Sequence, residues 1–194
     1  MSFPLNHAQR EAVRYQDGPL LVLAGAGSGK TRVITAKIGH LIETGHDPKR
    51  IAAITFTNKA AREMRERVGV LLQGNGKRAL GDDLTISTFH ALGLKILRGD
   101  AKALGLSPRF SILDPDDIEP IVAELVATTD RARAREAQRA ISQWKNALVE
   151  PAAALTAARN DAQATLARAY QRYDDTLRAY QAVDFDDLIA LPIA

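Results

Sequence analysis

Residues 22–31 read VLAGAGSGKT, and few ten-residue stretches so narrow the folds a chain can adopt. Gly25, Gly27 and Gly29 allow successive N–H groups to turn inward without Cβ clashes. The preceding run PLLVLA is short, apolar and bounded by Gly18-Pro19, which predicts a buried strand. The following KTRVITAKIGHLIET places Val33, Ile34, Ile38, Leu41 and Ile42 on one helical face, with Gly45 as a stop. Strand, glycine turn and helix together make an anion cradle, because the free N–H groups and dipole of the helix start face the loop. Lys30 reaches the β and γ phosphates of a nucleotide, and the Thr31 hydroxyl is placed to ligate Mg²⁺. This P-loop assigns Ala24, Gly25, Ala26, Gly27, Ser28, Gly29, Lys30 and Thr31 to phosphate binding. Lys30 and Thr31 are the two with expected catalytic roles.

Alternation continues through the first half. LNHAQREAVRY predicts a helix with Asn6 as N-cap and Gln9 completing a capping box. RIAAITF predicts a second buried strand, NKAAREMRERVGVLL a helix with Ala60, Met64, Val68 and Leu71/Leu72 inward, and LTIS a third strand. QGNGKRALGDD predicts a loop. Such alternation implies a parallel sheet covered by helices. From about Thr88 the patterns become helical, including a long helix over NDAQATLARAYQRYDDTLRAYQAV. Its stripe of Leu166, Tyr170, Tyr173, Leu177 and Tyr180 predicts packing core. The expected fold is α/β: a P-loop NTPase (RecA-like) core segment with a parallel sheet, plus an all-helical inserted subdomain.

Charge is uneven along the 194 residues. Residues 1–98 carry 15 Lys/Arg against 8 Asp/Glu, and residues 99–194 carry 11 against 15. The first half is therefore the half suited to a polyanion, although solvated helix faces account for the same asymmetry. The absence of cysteine excludes disulfides and thiolate metal sites. His7, His40, His46 and His90 have no metal-ligand spacing. No apolar run approaches a membrane span, so a cytoplasmic location is expected.

The turns ITFTNKAAREMRERV and ISTFHALGLKIL each place a Thr, a Phe and polar groups where a strand gives way to a helix. At that rim of a parallel sheet, loops line ligand surfaces, and an aromatic ring can stack on a base. By spacing alone, Phe56 and Phe89 are equally compatible with core packing. Here the chain resembles the UvrD/Rep/PcrA family of DNA helicases. The matching stretches are LNHAQREAV, GPLLVLAGAGSGKTRVIT, IAAITFTNKAAREMRERVG, ISTFHALGL, ISQWKN and VDFDDLIALP, in family order from residue 5 to residue 192. The resemblance implies that Gln9 recognises adenine, in competition with its capping role, and that Arg32 lies near the nucleotide. It implies that Phe56, Thr57, Asn58 and Lys59 contact single-stranded DNA, as do Thr88, Phe89 and His90. ATP and Mg²⁺ are the implied cofactors.

VDFDDL does not read as the family's Mg²⁺-binding Asp-Glu pair, because Asp184 is expected to follow a helix and cap another. The resemblance puts that pair, and a second motor domain, beyond residue 194. It divides the chain into residues 1–90 (first part of a motor domain), 91–183 (helical subdomain) and 184–194 (return to the motor domain). The implied whole protein is a 3′-to-5′ ATP-dependent helicase in replication or repair, with a homodimer or other repair proteins as partners. This chain alone is expected to hydrolyse ATP negligibly. The alternatives are a related helicase–nuclease or repair helicase, and a non-catalytic nucleotide- or DNA-binding module.

Overall fold

A computed structural model of the chain describes residues 5–74 and 81–193. The chain divides into two compact units, Met1–Phe89 and His90–Ala194.

The first unit begins with α1 (His7–Arg14), whose N-cap is the predicted capping box. Asn6 Oδ1 accepts from the Gln9 backbone N–H at 2.9 Å, and Gln9 Oε1 accepts from the Asn6 N–H at 3.0 Å. Helix α2 (Lys30–Glu43) packs on α1, and Lys37 Nζ donates to the Ala12 and Tyr15 carbonyls at the end of α1. After a 3₁₀ turn at Pro48–Arg50, strand β1 (Ala52–Thr55) leads into α3 (Asn58–Gly74), and β2 (Thr85–Thr88) follows. The strands pair in parallel, with Ala52 opposite Thr85 and Thr55 opposite Thr88. One face of this pair is covered: Ala53 and Ile86 meet Ile38 and Ile42 of α2 and Met64, Val68 and Leu72 of α3. Ala61 is buried where the periodicity placed Ala60, and Ile34 is exposed. Of the predicted 73–83 loop, residues 75–80 lie outside the described residues.

One expected strand is absent. Residues 19–24 pair with nothing among the described residues, and Leu21 and Leu23 are 82% and 86% exposed. An all-apolar strand belongs inside a sheet with a neighbour on each edge. Here β1 has spent one edge on β2, and no described strand lies beside 19–24. The composition specifies a strand, but pairing makes one, and the pairing is lacking.

The second unit is mainly helical: α4 (Phe89–Asp100), α5 (Pro115–Leu125), α6 (Arg131–Asn146), α7 (Pro151–Thr156), α8 (Asp161–Ala179) and α9 (Asp187–Ala190). It also holds a short parallel pair, β3 (Ser111–Ile112) with β4 (Ala182–Val183). That pair corrects two expectations: the long helix stops at Ala179, and a strand, not a helix, precedes Asp184. The turn residue Gln181 makes the break, with φ 51° and its carbonyl accepting from Ser111 N–H. Tyr170, Tyr173 and Leu177 are buried as the stripe predicts, whereas Tyr180 is exposed. On α5, Glu119 takes both Arg131 (2.5 Å) and Arg135 (3.0 Å) of α6, and these bonds hold its carboxyl below the usual range.

The turn after β4 carries a buried ion cluster. Lys145 Nζ lies 2.7 Å from Asp184 Oδ2 and 2.8 Å from Asp187 Oδ1, while the Tyr173 hydroxyl donates to Asp184 at 2.9 Å. Asp184 and Asp187 cap each other reciprocally, each backbone N–H donating to the other's carboxylate. Asn146 Nδ2 adds a bond to Asp186 at 2.9 Å. The stretches ISQWKN and VDFDDL are thus the two halves of one contact. Burial pushes Asp187 up to about 6, with Lys145 opposing that shift and Asp184 reinforcing it. Lys145 stays above the ordinary lysine value, since the two carboxylates outweigh the effect of its burial.

Two outcomes follow from this packing. A Cβ at Gly93 of α4 would collide with the backbone carbonyl of Leu188, so Gly93→Ala lowers unfolding stability by about 1–3 kcal/mol in urea denaturation. For Asp187, the folded state holds a proton up to about pH 6 that the unfolded chain, with its ordinary value of 3.8, has already released. Between those values the folded state binds more protons, so the stability contributed by this group declines as pH rises. Asp187→Asn removes that slope in denaturation series at pH 4, 5, 6 and 7, and an unchanged slope would show that the carboxyl is not its source.

Candidate nucleotide and nucleic-acid sites

Of the strand, glycine turn and helix expected for a P-loop, the turn and the helix are formed. Gly27 and Gly29 adopt φ of 74° and 85°, in the left-handed region that a Cβ penalises. Gly29 ends the loop as the N-cap of α2, so Lys30 and Thr31 occupy the first turn of that helix. Ala24, Gly25, Ala26, Gly27 and Ser28 are all solvent-exposed, while Thr31 and Arg32 are half-buried.

Within the loop, donors converge on one oxygen. The Gly25 carbonyl accepts from Lys30 Nζ at 2.7 Å and from Ser28 Oγ at 2.7 Å, and Lys30 also donates to the Ala24 carbonyl at 2.9 Å. An ammonium and a hydroxyl aimed at a single acceptor are the groups that grip a phosphate oxygen. Gln9 reaches the same loop from α1, its Nε2 donating to the Ser28 carbonyl at 3.0 Å. Capping and contact with the P-loop therefore coexist in Gln9, where the sequence set capping against base recognition. Beside the loop lies a mainly apolar groove of about 510 Å³, lined in part by Tyr15, Leu20, Val22, Val33 and Ile34, with Lys30 at its margin. Its lining suits packing, not phosphate. Among the described residues, no group of three or more His, Cys, Asp or Glu forms a metal site. Thr31, in the first turn of α2, has a single hydroxyl to give a cation, whose other ligands would have to come from phosphate and water.

The second set of predicted residues follows from the β1–β2 register. Thr55 and Thr88 are partners, so the next residues in each chain, Phe56 and Phe89, emerge side by side. Their ring centroids are 6.1 Å apart at 58°, and they are 92% and 51% exposed. Neither ring is core. Thr57 hydroxyl accepts from Ala60 N–H and so caps α3, and Asn58 and Lys59 are exposed in its first turn. Thr88 itself is buried at the strand end.

His90 belongs to the second unit, where it meets a residue that the sequence reading passed over. Phe185 is 45% exposed, and its ring lies edge-on to His90 at 5.9 Å. A phenylalanine between two aspartates, DFD, was the available signal, because an apolar ring in a charged turn has no core to enter. The reading of Asp184 as no magnesium ligand rested on an expected helix before it. Its carboxylate is in fact engaged by Lys145, Tyr173 and the Asp187 N–H. No helix among the described residues is long and apolar enough to cross a membrane.

The family model described as UvrD/REP helicase N-terminal domain matches residues 5–194. The chain is 48% identical over 192 residues to the ATP-dependent DNA helicase Rep of Salmonella typhimurium, and equally to that of Escherichia coli. Each alignment covers 97% of this chain and 28% of the relative. Against the ATP-dependent DNA helicase PcrA of Bacillus subtilis it is 44% identical over 194 residues, covering 97% of this chain and 26% of that protein. The chain thus spans about a quarter of the length of the curated relatives it matches. A P-loop leading into α2, two aromatic turns at the ends of paired parallel strands, and a family match over nearly every residue lead to one conclusion: the chain belongs to the UvrD/REP helicase family.

Proposed function

We propose that this chain is the nucleotide-gripping and first DNA-contacting part of an ATP-dependent helicase that moves 3′ to 5′ along single-stranded DNA. The observation that carries the reading is the pair Phe56 and Phe89, set side by side in water at the ends of β1 and β2. Two large rings left exposed cost solvation unless something stacks on them, and nucleic-acid bases do so regardless of sequence. Asn58 and Lys59 at the start of α3 supply polar and cationic contacts for the adjoining phosphates. Lys30, Ser28 and the loop N–H groups hold the ATP phosphates, Thr31 gives one oxygen to Mg²⁺, Gln9 reads adenine, and Arg32 lies alongside. Residues 1–90 form the first part of a motor domain, 91–183 its helical insertion, and 184–194 the return. The relatives' names as ATP-dependent DNA helicases support ATP and DNA as ligands.

Hydrolysis needs charge positioned around the γ-phosphate beyond one lysine and one hydroxyl. The two buried acids of the helical unit, Asp184 and Asp187, are committed to Lys145. The 194-residue chain accordingly shows background ATP turnover in a phosphate-release assay, with or without single-stranded DNA, and Lys30→Ala changes nothing. Robust turnover abolished by Lys30→Ala would refute this division of labour.

Oligonucleotide binding is weak and salt-dependent. Anisotropy of a labelled oligothymidylate across a salt series gives a log–log slope of about −0.7 per phosphate engaged. Phe56→Ala weakens binding by about 1–3 kcal/mol. Tight binding insensitive to salt, or an unaffected Phe56→Ala, defeats the assignment.

A further inference from the structure

The carboxamide of Gln9 is held at both ends. Its oxygen accepts from the Asn6 backbone N–H at 3.0 Å, and its nitrogen donates to the Ser28 carbonyl at 3.0 Å. A carboxamide has two acceptor lone pairs and two donor protons. One of each is used here, which leaves one lone pair on the oxygen and one proton on the nitrogen for a ligand. Their order is fixed. Turning the group over would set its NH₂ against the Asn6 N–H and its oxygen against the Ser28 carbonyl, two repulsive contacts in place of two bonds.

We propose that Asn6 is a positioning residue for base recognition. By capping α1 it locks Gln9 in one orientation, which presents acceptor and donor in the order that suits a 6-amino purine and not a 6-oxo purine. The inference rests on the reading that Gln9 faces the base. Adenine offers its N6–H donor beside an acceptor nitrogen, the complement of a glutamine amide. Hypoxanthine offers a 6-oxo acceptor in the donor's place. Asn6 touches no base in this scheme. Its Oδ1 holds the Gln9 backbone N–H at 2.9 Å, and that bond keeps the first turn of α1 wound so that the reciprocal bond to Gln9 Oε1 survives. The Ser28 bond ties the same amide to the phosphate loop, six residues of which precede Lys30.

The test compares ATP, ITP and tripolyphosphate by calorimetry on the 194-residue chain, as wild type, Gln9→Ala, Asn6→Ala and Asn6→Ser. The wild type binds ATP more tightly than ITP, and Gln9→Ala loses that preference. Asn6→Ala lowers the ATP:ITP ratio about fivefold, the value of one hydrogen bond. Asn6→Ser, which keeps a capping hydroxyl, restores the ratio, and tripolyphosphate affinity is the same in all four. In a ¹⁵N-labelled chain, the Gln9 side-chain NH₂, identified by its loss in Gln9→Ala, is protected from exchange in wild type and Asn6→Ser but not in Asn6→Ala. That measurement needs no nucleotide. A ratio that Gln9→Ala lowers and Asn6→Ala leaves intact overturns the positioning role while sparing base recognition. Failure of Asn6→Ser to restore it does the same. A ratio untouched by Gln9→Ala, or no binding of any ligand, overturns both readings.

Discussion

The parallel pairing of β1 with β2 is the constraint on which the candidate nucleic-acid surface depends. Parallel strands end at the same rim, and a register that matches Thr55 with Thr88 makes the following residues neighbours although 33 positions separate them in sequence. Slipping one strand by a residue would turn Ala53 or Ile86 out of the core and Phe56 or Phe89 into it, because side chains alternate faces. Burial of Ala53 and Ile86 beneath α2 and α3 forbids the slip. The apolar core of the first unit therefore holds the two rings in water as a by-product of its own packing.

What was legible in the sequence follows the range of the interactions involved. The capping box at Asn6, the helix after Gly29 and the buried face of α3 depend on neighbours three or four positions apart, and each appears nearly where its residues indicate. The strand expected at 19–24 depends on distant partners, which no local pattern contains. The β3–β4 pair failed to register for the opposite reason: two-residue strands are too short to show a period. At the site, local chemistry sufficed for the glycine turn and the helix start after it, but not for the strand before them. Nor did it settle exposure, since Phe56 reads identically as core or as surface until the register is known.

The ion cluster of the helical unit shows the same limit. Lys145 and Asp184 are 39 positions apart, and each looks like ordinary surface charge in sequence. Burying two carboxylates with one ammonium is costly unless every oxygen finds a donor. Backbone N–H groups and Tyr173 supply the missing donors, so a segment rich in aspartate folds inward. Asp184, expected from sequence to cap a helix, and its neighbour Asp187 are thereby spent on architecture.

Trp144, the sole tryptophan of the chain, stacks on Tyr170 with ring centroids 5.7 Å apart, inside the helical unit and next to Lys145. The α/β unit contains no indole. Intrinsic emission excited at the red edge consequently reports on one unit alone, whereas ellipticity reports on both. Melting curves recorded by the two signals would superimpose if the units lose structure together and separate if either comes apart first, without any label attached.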